Sequence, residues 1–138
     1  MMELFDARNA PCHRITDGDT VKLAVVRPPR DRDDTSVTFE VWDPGGSQPP
    51  NSHPRSVETF WFLAGEGVAE CDGESTPVRA GEFLVLPPGS VHRIRNTGTG
   101  RLYAITTMSP DDGFADMIEQ GPADRLDEHD LAVLAGEV

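Results

Sequence analysis

The chain has 138 residues, 37% of them hydrophobic, with 13 glycines and 12 prolines. That length suffices for one domain with its own core, and such frequent punctuation favours short elements and tight turns over a helix bundle. Twelve basic against 24 acidic residues leave a net charge of −12, a field that repels phosphate backbones and anionic lipid and argues against nucleic acid or a membrane surface as partner.

Residues 1–19 read as an N-terminal segment with a place in a dimer contact. The opening stretch MMELFDARNAPCHRI has no basic head followed by an apolar run, and no part of the chain reaches the ~20 apolar residues of a membrane helix. Cys12 and Cys71 make neither a disulfide framework nor a C-x-x-C pair, so the expected setting is the reducing cytoplasm. Cys12-His13 reads as plain chain rather than as a peripheral ligand pair.

From residue 20 the dominant signal is a period of two. TVKLAVV places Val21, Leu23 and Val25 on one face, and TSVTFEVW alternates Val37, Phe39 and Val41 against Thr38 and Glu40. Between them PPRDRDDTS, residues 28 to 36, reads as an exposed loop. VETFWFL sets Glu58, Phe60 and Phe62 against Thr59, Trp61 and Leu63, and strand-like runs follow in EFLVL, SVHRIRN and LYAITTM. Turn signals recur between these runs, in DPGG, AGEG, CDGES, RAGE, PPGS and NTGTG, a rhythm that predicts a β-sandwich or barrel over 20–108. After Met108 the pattern stops. Residues 109–138 are expected to hold two short helices, from Asp112 to Gln120 and from an N-cap at Asp127 to near Gly136. His129 falls in the second, where a solvated role is expected.

Two spacings carry chemistry. The first runs Gly45, Asn51, His53, Glu58, Gly65; the second runs Gly81, Pro87, Gly89, His92, Asn96. At average residue usage the second has a chance of roughly 10⁻⁷ per window. In both, the glycines suit turns of positive φ, Pro87 fixes the entry to a bend, and Asn96 suits a turn held by side-chain hydrogen bonds.

These spacings resemble the two motifs of the cupins, small antiparallel barrels of the jelly-roll or double-stranded β-helix type. The second motif is complete; the first has Asn51 where the family has its first histidine. The resemblance implies an all-β barrel, commonly dimeric, with one divalent metal ion (Fe, Mn, Ni or Zn) on His53, Glu58 and His92. Asn51 is then a weak ligand or a partner of metal-bound water. Two imidazoles and one carboxylate suit non-haem iron and also Zn, Mn or Ni. Burial of Glu58 between Phe60 and Phe62 without a cation would be costly unless it stayed protonated, which favours a metal, or a basic ligand in its place, over a merely structural pair of histidines.

Phe60, Phe62 and Tyr103 are candidate cavity-lining residues, Trp61 a candidate dimer contact, and Arg93 and Arg95 point outward. No nucleophilic Ser or Cys has a neighbouring base in the motif region. Two functions remain open: a metal-dependent enzyme of oxygenase, isomerase or lyase type acting on a small organic molecule, and a non-catalytic binding or sensing module. The dioxygenase-like reading leads.

Overall fold

The computed structural model describes residues 1–137, so Val138 of the expected C-terminal segment lies outside the described residues. Ten strands form in chain order. They are β1 (Cys12–His13), β2 (Val21–Arg27), β3 (Ser36–Trp42), β4 (Val57–Ala64), β5 (Glu66–Cys71), β6 (Glu74–Arg79), β7 (Phe83–Leu86), β8 (His92–Asn96), β9 (Leu102–Ser109) and β10 (Ala123–Asp124). Helices α1 (Phe114–Glu119) and α2 (Glu128–Leu134) follow β9, with β10 between them. The strands make a seven-stranded sheet, ordered β10-β1-β2-β3-β9-β4-β7, and a three-stranded sheet, ordered β6-β5-β8. Every pairing between them is antiparallel.

The two sheets close on a shared core, in which Val21, Leu23, Phe60, Phe62, Leu86 and Leu102 of the large sheet meet Ala69, Val78 and Ile94 of the small one. This is the expected jelly-roll barrel. The N- and C-terminal segments are tied into it, because β1 and β10 pair with each other and β1 with β2. Two-residue strands are too short to show a period, so the sequence beyond Met108 reads as helix alone.

Strand β3 carries its polar residues inward. Phe39 and Val41 point away from the barrel into a second core with Cys12, Ala24, Tyr103 and Val133, beneath α2. Tyr103, expected in the cavity, therefore faces the opposite side of the sheet, its ring stacked on Phe39 at 5.8 Å. The reason is α2, whose apolar face needs an apolar strand surface to cover. Burial pushes the Cys12 thiol up to about 11, which makes it an inert core group.

A polar latch closes the second core. Lys22 Nζ donates to Asp130 Oδ2 at 2.5 Å and to the Arg125 carbonyl at 3.1 Å. Asp130 Oδ1 accepts from the Tyr103 hydroxyl at 2.8 Å and from Arg101 at 2.9 Å. Asp130 also completes the capping box with Asp127 that starts α2, as the N-cap expectation requires. His129 is exposed but its Nδ1 lies 3.0 Å from the Tyr103 hydroxyl, so its role is less solvated than expected.

Asp130→Ala leaves the Lys22 charge buried without its partner. Calorimetric melting of the variant should show a loss of about 3–5 kcal/mol; an unchanged stability would mean that the latch is incidental to how α2 docks.

Candidate metal centre

The site is assembled by backbone pairing between the two motif segments. Asn51 and His92 exchange both backbone hydrogen bonds, each at 2.9 Å, as an isolated antiparallel bridge. Two residues on, the His53 carbonyl accepts from Gly89 N–H at 2.8 Å. Gly89 itself holds φ at +80°, a left-handed turn that other residues resist. The loop carrying His53 is thus stitched to the turn that presents His92.

Other motif residues lock the far ends. Asn96 Nδ2 donates to the carbonyls of Trp42, Asp43 and Gly100, and its Oδ1 accepts from Gly98 N–H. Asn96 is therefore the turn-holding residue its position suggested. Gly65 turns β4 into β5, and a Cβ there would come within 2.6 Å of the Arg101 carbonyl oxygen.

Glu58 sits on the inward face of β4 opposite Met108 of β9 and is 3% exposed. Its Oε1 lies 2.8 Å from His92 Nε2 and 3.6 Å from His53 Nε2. One ligand atom from each of these residues falls within 4.8 Å of the others, a grouping able to hold a metal ion. Phe114 of α1 meets the His53 ring edge-on at 5.6 Å and fixes its tilt.

The chemistry of the donors fits a cation at their centre. His92 Nδ1 lies 3.3 Å from the Ser90 carbonyl, so a proton on Nδ1 would leave the Nε2 lone pair free for a metal. His92 Nε2 meets Glu58 Oε1 at 2.8 Å, yet the carboxylate oxygen has no aligned hydrogen-bond donor. A ring nitrogen and a carboxylate oxygen so close call for a positive charge between them, a proton or a metal. Burial pushes the Glu58 carboxyl up, but the imidazoles of His53 and His92 outweigh it and hold Glu58 below the ordinary range. Asn51 Oδ1 is likewise buried with no partner. Asn51 lines, with His53, an open cavity of about 470 Å³.

Of the expected lining residues, Phe60 and Phe62 point into the barrel but pack as core, stacked on each other at 6.0 Å with Phe60 against Trp42. The open cavity is instead walled by residues of the 15–20 and 47–53 segments and by Met117. Arg93 and Arg95 lie on the outside, paired with Glu70 at 2.9 and 2.8 Å.

The sequence reading passed over Glu40. It is 1% exposed on the inward face of β3, hydrogen-bonded by the Thr106 hydroxyl, and its Oε1 accepts from Gln48 Nε2 at 3.2 Å. Burial, with the Glu58 charge added to it, pushes the Glu40 carboxyl up to about 8, so it is protonated at neutral pH. The period of two puts Glu40 on one face with Trp42 but does not say which face turns inward, because Val37, Phe39 and Val41 make the opposite face more apolar.

The fold is a two-sheet β-barrel with a His/His/Glu group inside it, and the comparisons place that fold in a family. The cupin domain profile matches residues 38–108, and the chain belongs to that family. The oxalate-binding protein of Thermotoga maritima is 36% identical over 55 residues, 40% of this chain and 46% of that protein. Oxalate oxidase 1 of Hordeum vulgare is 34% identical over 74 residues, 48% of this chain and 37% of that protein. The chain thus spans under half the length of these relatives. The crystal structure of a predicted oxalate decarboxylase from Thermotoga maritima superposes with a TM-score of 0.69 at 22% identity, over 78% of this chain and 99% of that one. Among the described residues no helix is long and apolar enough to cross a membrane.

Glu40 gives the metal-free protein a pH dependence of known sign. The ordinary glutamate value is 4.5 and the folded value about 8, so stability from this group is whole below 4.5 and drains away as pH rises through 8. In metal-free protein, Glu40→Gln should melt at the wild-type temperature near pH 4 and roughly several degrees above it near pH 8–9. Parallel melting curves across that range would show instead that Glu40 ionises freely.

Proposed function

We propose that the protein binds one divalent metal ion, Fe, Mn, Ni or Zn, through His53, Glu58 and His92, and is a metal-dependent enzyme acting on a compact oxygen-bearing organic molecule. The observation that carries this reading is the convergence of His53, Glu58 and His92 within 4.8 Å of one another inside the barrel, with Glu58 Oε1 2.8 Å from His92 Nε2. A bound metal would supply Lewis acidity or redox capacity at that point. Three protein donors leave open positions for a substrate oxygen or water.

The chain's own residues supply the rest. Asn51 offers its unpartnered Oδ1 to a metal-bound water or ligand. Glu40 holds a proton at neutral pH behind Gln48, within the same interior. Core packing of Phe60, Phe62 and Met108 beside Glu58 keeps bulk water from the barrel side of the site. The dioxygenase-like activity expected from the sequence remains our leading class, supported by the likeness to an oxalate oxidase.

One observation favours a second reading, a binding module without turnover. An amide stands at residue 51 where the family motif has an imidazole, and one relative is named for binding alone.

Pairing of two copies is also part of this proposal. Trp61 and Phe83 stack at 5.6 Å on the outer face of β4 and β7, and they are 44% and 67% exposed beside Val85 at 61%. An apolar sheet face of that kind marks a protein contact. We place the protein in the cytoplasm, where Cys12 and Cys71 stay as free thiols.

Elemental analysis of protein purified without added metal should find near one equivalent, lost in His92→Ala. Asn51→Ala should weaken binding by only ~10-fold, as outer partners do, and Asn51→His should tighten it. Full metal content in His92→Ala would sink the assigned centre. Light scattering should give twice the monomer mass for wild type and the monomer mass for Trp61→Glu; a monomeric wild type would remove the dimer.

A further inference from the structure

The cavity that opens onto His53 and Asn51 has a composition that bears on what it admits. Its volume, about 470 Å³, falls in the range of sites that take ligands with a substantial apolar body, about 300–1,000 Å³. That is far more room than a two-carbon acid needs. Ile15, Pro49 and Met117 supply apolar wall, while Gln48, Asn51 and Ser47 supply uncharged hydrogen-bonding groups.

Charge decides the class. Among the described residues no lysine or arginine lines this cavity, whereas Asp17 and Asp19 do. Asp19 is fixed there, its carboxylate accepting from the Ile15 and Val21 N–H groups. The nearby Arg14 is engaged with Asp43, Asp124 and the Asp19 carbonyl. Within the barrel Glu58 adds a further carboxylate, and the whole chain carries −12. A small dianion entering this mouth would meet the metal as its sole cation and carboxylates as the other charges along its path. An uncharged molecule meets no such barrier and gains from the apolar wall.

An adjoining cavity of about 220 Å³ shares Asn51, His53 and Met117 and is lined by Asp111 and Asp112. Arg32 and Arg55 lie beside it, paired with Asp112 and, for Arg55, also with Asp33, so two carboxylates match the two guanidinium groups.

Resting on the metal-centre reading above, we propose that the cavity selects an uncharged, apolar-bodied molecule bearing two neighbouring oxygens and disfavours small carboxylate dianions. The paired oxygens address the open positions left by three protein ligands. Asn51 Oδ1, buried and unpartnered beside them, accepts a hydrogen bond that a hydroxyl gives and a carboxylate does not.

The test uses the full chain loaded with Co²⁺, whose visible spectrum reports both occupancy and ligand binding. Catechol, a phenol, enters uncharged at neutral pH. It would release one phenolic proton to solvent on meeting the metal and keep its second hydroxyl as a donor. It is compared with oxalate, a dianion before it enters, offering a similar pair of oxygens. Metal content is assayed after each titration. With Co²⁺ retained, catechol should bind at least ~10-fold more tightly than oxalate at low salt. Asp17→Lys, on an exposed residue of the cavity wall, should narrow that ratio several-fold by tightening oxalate more than catechol. Oxalate binding as tightly as catechol to the Co²⁺-loaded protein would overturn the selectivity and leave the metal centre standing. Failure to take up Co²⁺ at all would overturn the metal reading, and the inference with it.

Discussion

The site rests on a pair of backbone hydrogen bonds, those exchanged between Asn51 and His92. Residues 48–56 form no long strand, and a loop of that length would otherwise leave His53 free to wander. The bridge fixes its register against β8, and the Gly89 to His53 bond fixes it against the turn before β8. Once that register is set, the period of two does the remaining work. Glu58 must face inward because Phe60 and Phe62, two and four residues later, fill the core. A one-residue slip of β4 would expose those rings and send Glu58 to solvent. Hydrophobic burial of the neighbouring rings therefore holds its carboxylate in place.

That placement creates an electrostatic problem that the interior resolves unevenly. Two carboxyls, Glu40 and Glu58, share one barrel, and among the described residues neither is paired with a lysine or arginine. The environments push them apart: Glu58 gains two imidazoles and stays ionised, while Glu40 gains only Thr106 and Gln48 and stays protonated. This is the pattern by which paired acids take different roles. A divalent ion on Glu58 would lessen the repulsion that Glu40 feels, so occupancy of the centre and the proton on Glu40 are linked.

Much of this was legible in the sequence. The spacings from Gly45 to Gly65 and from Gly81 to Asn96 carry both the barrel and the three donors, because each residue serves a turn or a ligand at a fixed place. The direction of β3 was not legible. Val37, Phe39 and Val41 form the more hydrophobic face, and a single sheet over a single core would turn them inward. They face outward because α2 supplies a second core, and an amphipathic helix in a sequence does not say which strand it will cover. Tyr103 went astray for the same reason. The cavity walls at Ile15 and Met117 come from segments outside the barrel, where no period constrains direction.

The terminal segments thus do more than finish the barrel. Lys22, the lone lysine, is spent inside the latch with Asp130, which removes it from any surface role. Arg14 is spent joining β1 to β10 through Asp124. Arg101 is spent on Asp127 and Asp130. A chain with 12 basic residues against 24 acidic ones has few cations to place, and these three serve to dock the ends. The consequence falls on the cavity mouth, which α1 and residues 15–20 build with Asp17 and Asp19 and no compensating base. On the reading proposed above, docking the termini and disfavouring anions at the cavity are two outcomes of the same allocation of charge.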